Sequence, residues 1–313
     1  MSTTLQTLDV GSARIIKRKH PWRWVAAVII IWLLVLAVFS ATTNERFGWA
    51  VVGKYMFSGP ILAGLMITLQ LTFFGMLAAL VLGWVVAVMR LSKNPVLTSS
   101  AWAFAWFFRA TPLLVQLIFW YNIAALYPAI SIPIPFGDAI PVDTNKLIPG
   151  YTAALIALSL HQAAYMSEII RSGIMSVDEG QREAADALGL SHARALRLIV
   201  FPQAMRVIIP PLGNETIGLL KTTSLVSVVA VADLLYSTQL VYARTFQTIP
   251  MLIMASLWYL ALTSILGIGQ YYLERHFGRG ATRNRPLTPL QRLRRQLSGV
   301  AARAQSHSER HQK

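Results

Sequence analysis

Apolar residues fall into six runs along the chain, at about Trp24 to Ser40, Leu65 to Met89, Leu113 to Leu126, Tyr151 to Ile170, Leu212 to Leu235 and Met251 to Leu273. Most approach or exceed the ~20 residues that carry a helix across a hydrocarbon core of about 30 Å. The third is short, and the reading extends it backward through Trp106, Phe107 and Phe108. The pattern predicts an all-α polytopic membrane protein with six transmembrane helices. Along the second run, Gly64, Thr68, Thr72, Gly75, Ala79 and Gly83 recur at spacings of three and four, which puts them on one helix face. In lipid such a stripe lets two backbones approach closely, so its expected role is packing.

Residues 178–203 interrupt that pattern with a polar surface helix. Asp178 is placed to accept from exposed amides as an N-cap, Gln181 three residues on to reach back to it, and Glu179 and Glu183 to face the positive helix end. Gly189 suits the left-handed stop, which ends the helix at Leu188. Ser191 then caps a second short helix, and Pro202 is expected to end it because its ring disfavours helical geometry at Phe201. The result is a helix-turn-helix elbow. Ala184, Ala185 and Ala187 give it a slim surface able to enter a groove, with Arg182 and Glu183 as polar handles at the rim. Folding back onto its own spans is the competing reading.

Composition narrows the class. With 55% hydrophobic and 13% charged residues, the 313 residues form one membrane domain and not a soluble enzyme. The absence of cysteine excludes disulfides, thiolate metal sites and cysteine nucleophiles. H-E-x-x-H and G-x-S-x-G are also missing, so no catalytic residue and no metal site is expected. Gly48 to Tyr55 imitates a phosphate loop but has Tyr where a hydroxyl must reach magnesium, so nucleotide binding by this chain is not expected.

The formal charge of +15 does not indicate nucleic acid, because the basic residues lie beside apolar runs and in tails. They read as topology signals. Arg14, Lys17, Arg18, Lys19 and Arg23 precede the first span; Arg90, Lys93 and Arg109 lie between the second and third. Arg171, Arg182, Arg194, Arg197 and Arg206 lie between the fourth and fifth, and Arg275 through Lys313 follow the last. Both termini are then cytoplasmic. Phe39 at minus three from Ala41 makes a poor cleavage site, which favours an uncleaved anchor over a secretory signal. Opposite, Tyr127 to Pro149 holds five prolines, Pro128, Pro133, Pro135, Pro141 and Pro149, and forms a stiff loop without a long helix or a central strand.

Ionisable groups inside spans cost about 2.5 to 3.5 kcal/mol on insertion scales, which makes a functional reading the default. Lys221 falls near the midplane when rise is counted from Leu212. Asn214, Gly218 and Lys221, with Glu215 and Thr222 beside them, mark one side of the fifth span as facing protein or a water-filled path. His161, Tyr165 and Glu168 form a polar stripe on the fourth, flanked by Gln162. Bland readings stand next to these: Glu168 pairs with Arg171, His161 bonds within the bundle, and Lys221 pairs with Glu215.

The order Glu183-Ala184-Ala185, Gly189, Ile199, Phe201-Pro202 resembles the cytoplasmic loop signature of permease subunits of bacterial ATP-binding-cassette (ABC) importers, with Phe201 where Leu is usual. Ordered blocks resemble the polar amino acid branch of the histidine/glutamine type: Arg109 to Gln116, Ala163 to Arg171, Gly180 to Ala185, Pro202-Gln203-Ala204 and Leu220 to Leu225. The resemblance implies a five-helix permease core at 58–279 containing the coupling loop 178–203; outside it, charge and hydropathy give a basic segment 1–23, an extra transmembrane helix 24–40, and a basic tail 280–313 whose composition favours disorder. It implies that Gly180, Glu183, Ala184, Ala185, Gly189 and Pro202 meet a separate cytoplasmic ATPase dimer, which binds the ATP. It also implies a second permease subunit, identical or homologous, an extracytoplasmic solute-binding protein, and an amino acid substrate. Asn214, Glu215, Lys221, Thr222, His161 and Glu168 are the candidates for the path. Many relatives have Asp where Thr222 stands, which weighs against a cationic substrate. An ion-gradient-driven secondary transporter is the alternative.

Overall fold

The structure, a computed structural model, describes residues 21–132 and 140–277. The expected tail 280–313 and the basic segment up to residue 20 lie outside the described residues. Among the described residues five helices are long and apolar enough to cross a membrane: Trp22–Thr43, Gly59–Arg90, Gly150–Met175, His192–Val229 and Thr248–Phe277. The bent pair Pro95–Ala110 and Leu113–Tyr121 makes the sixth span.

At the centre, α3 (Gly59–Arg90) lies along α7 (Gly150–Met175). The small-residue stripe is buried throughout, at Gly64, Thr68, Thr72, Gly75, Ala79 and Gly83; its Gly75 and Gly83 face α7, whereas Gly64 lies against Ser237 and Asp233 and Thr68 accepts from the Leu234 amide. A Cβ added to Gly83 would stand 2.6 Å from Met166 Cβ and 3.2 Å from the Ala163 carbonyl, so only glycine lets the two backbones meet there. Around this seam Leu71, Met76, Leu158, Met166, Ile170 and Leu219 form the main apolar core. Helix α1 (Pro21–Thr43) stays outside it and is exposed along nearly its whole length. Its far end is pinned by Trp49 of α2 (Trp49–Tyr55), whose indole donates to the Ala41 carbonyl at 2.7 Å.

Three boundaries differ from the sequence reading. The third span does not extend straight backward through Trp106: α4 (Pro95–Ala110) and α5 (Leu113–Tyr121) meet at 100°. The cause is local, because Pro112 forces Thr111 out of helical geometry, to φ −97° and ψ 138°. Pro202 does not end the second elbow helix. After α9 (His192–Ala195), Leu196–Val200 widens into a π turn and α10 (Phe201–Thr222) continues with Pro202 in its first turn. The π turn changes the pairing register at the point where proline has no N–H to give.

The fifth span, finally, stops at Val229 instead of reaching Leu235. Thr223–Val229 is a 3-10 turn, Ala230 takes the left-handed conformation at φ 55°, and Asp233 caps a separate helix, α11 (Leu234–Thr245), by accepting from the Tyr236 amide at 2.9 Å. The chain returns through α12 (Thr248–Phe277).

The proline-rich segment contains a small antiparallel ladder, β1 (Ala129–Ile132) with β2 (Ile140–Asp143), pairing Ala129 with Asp143. The short helix α6 (Thr144–Leu147) follows, capped by Asp143. This hairpin marks one end of the bundle. The other end, where α3 and α7 finish, carries Arg90, Arg171 and the elbow.

Candidate functional site

The elbow is a defined unit. Its first helix, α8 (Glu179–Ala187), starts where Asp178 Oδ1 accepts from the Gly180 amide at 2.8 Å. It ends at Gly189, which sits at φ 71° and donates to the Asp186 carbonyl at 2.9 Å while Leu190 donates to the Ala185 carbonyl at 3.0 Å. That pair of crossed bonds is the glycine-dependent helix stop, and it satisfies carbonyls that would otherwise face water alone. Ser191 precedes α9, though its hydroxyl makes no capping bond; its carbonyl accepts from Ala195.

Gln181 does not reach back to Asp178. Its side-chain oxygen instead accepts from Gln203 Nε2 at 3.3 Å, which ties α8 to α10. A second tie was not foreseen: Arg182 Nη2 donates to the Ile174 carbonyl at 2.7 Å, in the last turn of α7. One of the carbonyls left open at that helix end is thereby satisfied, and a cation there also suits the negative end of the helix dipole. Directly above, Gly173 faces Ile208 so closely that a Cβ would overlap it. The elbow therefore sits on a rigid junction of α7 and α10. Ala185 is its buried foot, while Gly180, Glu183, Ala184 and Pro202 are exposed, and Leu188 is 78% exposed. The elbow thus has one side packed on its own spans, at Ala185, and another left open, where the apolar side chain of Leu188 stands among acidic and small residues.

Deeper in the bundle, polar side chains from three helices converge. Glu215 of α10 accepts from Gln162 of α7 at 2.7 Å. His161, the neighbour of Gln162, has Nδ1 3.3 Å from Gln116 Nε2 of α5, and its ring lies 5.2 Å from that of Tyr165. Gln116 Nε2 also donates to the Phe108 and Thr111 carbonyls, at 3.1 Å each, which engages both of its hydrogens and fixes the amide beside the imidazole. Gln116 Oε1 is buried without a partner, an acceptor still open for a donor. The sequence reading gave Gln116 no role, although a lone amide in the run Leu113 to Tyr121 is the kind of signal that flags a site.

The remaining candidates separate. Asn214 turns toward α12, where Gln270 Nε2 donates to it at 3.0 Å. Thr222 bonds back to the Gly218 carbonyl at 2.9 Å and is half-buried. Lys221 is exposed, and among the described residues its ammonium has neither a hydrogen-bond nor an ion-pair partner; the pairing with Glu215 does not form. A lysine in a span cannot rest against lipid at this depth without cost, so its face needs a covering surface or water.

Glu168 is not on the Gln162–Glu215 side. Its Oε2 accepts from Arg90, at the end of α3, and its Oε1 from Arg171 at 2.5 Å, with Arg109 of α4 at 3.9 Å. The Arg171 partnership follows from the spacing, whereas nothing local in the sequence joins Arg90 or Arg109 to Glu168.

Comparison with known proteins gives a consistent picture. Residues 79–279 match the family model described as binding-protein-dependent transport system inner membrane component. The chain is similar to the arginine transport system permease protein ArgU of Corynebacterium glutamicum, 46% identical over 267 residues that cover 85% of this chain and 83% of that protein. It is also similar to the L-cystine transport system permease protein TcyB of Bacillus subtilis, 37% identical over 77% of this chain and 95% of the relative. Among solved structures, an amino acid ABC transporter with histidines aligns with a TM-score of 0.59 at 34% identity, over 69% of this chain and 94% of that one. An inward-facing MetNI methionine ABC transporter shares the fold alone, at a TM-score of 0.57 and 16% identity over 71% of this chain and 99% of its own.

Proposed function

The chain belongs to the family of binding-protein-dependent transport system inner membrane components, and from that premise we propose that it is the permease subunit of an ATP-driven ABC importer of polar amino acids. The observation that carries the reading is the elbow: a glycine-stopped helix pair with an exposed apolar tip, bonded through Arg182 and Gln203 to the ends of two spans. A surface built this way receives a push and passes it into the bundle. The partners are a cytoplasmic ATPase dimer that binds the ATP, a second permease subunit related by a two-fold axis, and an extracytoplasmic solute-binding protein. The chain itself is not an enzyme.

On this reading the arginine-rich end is cytoplasmic, since Arg90, Arg109, Arg171, Arg182, Arg194, Arg197 and Arg206 cluster there. The hairpin end faces outward, and both termini lie inside. ATPase closure draws the paired elbows together and moves α7 and α10 as one body, because the Gly173–Ile208 contact leaves no slack between them. The path opens outward and returns inward after hydrolysis.

The substrate passes the His161–Gln162–Glu215 set, with Lys221 and Thr222 on the face toward the second permease. Glu215 attracts a substrate ammonium or guanidinium group, and Gln116 Oε1 accepts from it. The naming of one relative for arginine, together with Glu215, favours a cationic member of the polar amino acid class over a neutral one, despite Thr222. The test is reconstitution in vesicles with the ATPase and binding protein. Uptake dependent on both, with hydrolysis stimulated by loaded binding protein, supports the proposal. Uptake by this chain alone that follows a proton or sodium gradient refutes it.

A further inference from the structure

We propose that the inner end of the bundle carries a binding site for a phosphate-bearing anion, filled by the headgroup of an anionic phospholipid of the inner leaflet; the leaflet assignment rests on the orientation given above. The site is a cavity of about 560 Å³ lined by Arg90 of α3, Trp102, Trp106 and Arg109 of α4, and Tyr165 and Glu168 of α7.

Charge is the first argument. Three guanidiniums surround one carboxylate. Glu168 spends one oxygen on Arg90 and the other on Arg171, so Arg109, 3.9 Å away and with its side chain 44% exposed, lacks a tight partner. Arg109 stands 5.6 Å from the centre of the Tyr165 ring, which holds it at the cavity wall. Arg171 Nε is buried with no acceptor. Among the described residues the cluster keeps two formal positive charges unmatched, in a setting where unmatched charge is expensive. An oxyanion balances it, and guanidinium groups recognise phosphate through paired donors.

Depth is the second. Helix α7 has 26 residues, which at about 1.5 Å each exceeds a hydrocarbon core of about 30 Å, and Glu168 lies seven residues, or roughly 10 Å, before its inner end. That level is the hydrocarbon boundary, from which an arginine reaches headgroup phosphates.

The third is the wall beside the charges. Trp102 and Trp106 are stacked with ring centres 6.0 Å apart and 55% and 59% exposed. Paired indoles next to arginines suit the boundary between acyl chain and headgroup, where tryptophan concentrates. A soluble anion has no use for them.

Free phosphate and the carboxylate of a transported amino acid share the oxyanion chemistry, and the test separates them. The permease–ATPase complex is purified in detergent from vesicles of phosphatidylcholine and phosphatidylglycerol, and retained lipid is counted by native mass spectrometry. Wild type is expected to retain phosphatidylglycerol selectively. R109Q should retain about tenfold less, as expected for one lost charge-assisted contact, whereas R109K keeps most of it and so controls for folding. Inorganic phosphate or arginine added in excess should not displace the lipid. Equal retention by wild type and R109Q, or displacement by either small molecule, overturns the proposal. ATPase association and stimulated hydrolysis are scored on the same wild-type preparations, so a failure of the transport reading shows there and not in the lipid count.

Discussion

Replacing Gly189 by Ala isolates the backbone term of the elbow. Gly189 lies at φ 71°, and a Cβ built there meets no heavy atom within 4 Å, so no steric clash contributes. What remains is the cost of an L-residue in the left-handed region, about 1–2 kcal/mol. The bonds from Gly189 to Asp186 and from Leu190 to Ala185 exist only in that conformation. Because Ala185 is the one buried residue of α8, the least costly relief is to open the turn and swing α8 away from α9. At 1.4 kcal/mol per factor of ten, the docking-competent elbow becomes roughly 5- to 30-fold less populated. The assay titrates purified ATPase against the permease in nanodiscs and reads hydrolysis stimulated by loaded binding protein. Gly189→Ala should raise the half-saturating ATPase concentration by that factor and leave the rate at saturation near wild type. Gly189→Asn, which tolerates the left-handed region, should shift it only slightly. Equal titration curves for wild type and Gly189→Ala refute the reasoning.

Other substitutions probe the rest of the account. Gly83→Ala forces α3 and α7 apart against Met166, costing about 1–3 kcal/mol as overpacking, and should lower the unfolding temperature of the purified permease; an unchanged melting curve contradicts the seam described. Arg182→Met removes the bond to the Ile174 carbonyl, so uptake per ATP hydrolysed should fall while ATPase still co-purifies; an intact ratio removes Arg182 from force transmission. Glu215→Gln should weaken uptake of a cationic amino acid about tenfold, for the loss of a half-buried charged contact, with little change in ATPase assembly. Lys221→Ala should alter uptake kinetics or substrate preference, and unchanged kinetics with unchanged preference remove Lys221 from the path.

Much of this was legible from the chain because membrane physics writes strong patterns. The small-residue stripe of the second span marks a packing face that the structure divides between α7, at Gly75 and Gly83, and the start of α11, at Gly64 and Thr68, and the left-handed role of Gly189 followed from one residue type in one place. Proline was the harder signal. Its effect depends on which neighbouring bond is missing: Pro112 bends the third span by 100°, whereas Pro202 passes into a continuous helix because a π turn precedes it. Long-range pairings were out of reach for another reason. Arg90 meets Glu168 and Gln116 meets His161 only after helices distant in sequence pack together, and no local spacing encodes either contact. The Arg171–Glu168 pair, three residues apart on one helix, was the exception.

The central claim is that force enters the bundle through the elbow from a separate ATPase. It is tested most directly by measuring ATP hydrolysis and amino acid uptake together in proteoliposomes carrying Glu183→Lys, which reverses the exposed charge beside Ala184 without touching a buried contact. Loss of binding-protein-stimulated hydrolysis and of uptake, in a permease that still inserts and folds, is the predicted result. Undiminished hydrolysis and uptake in that variant contradict the account.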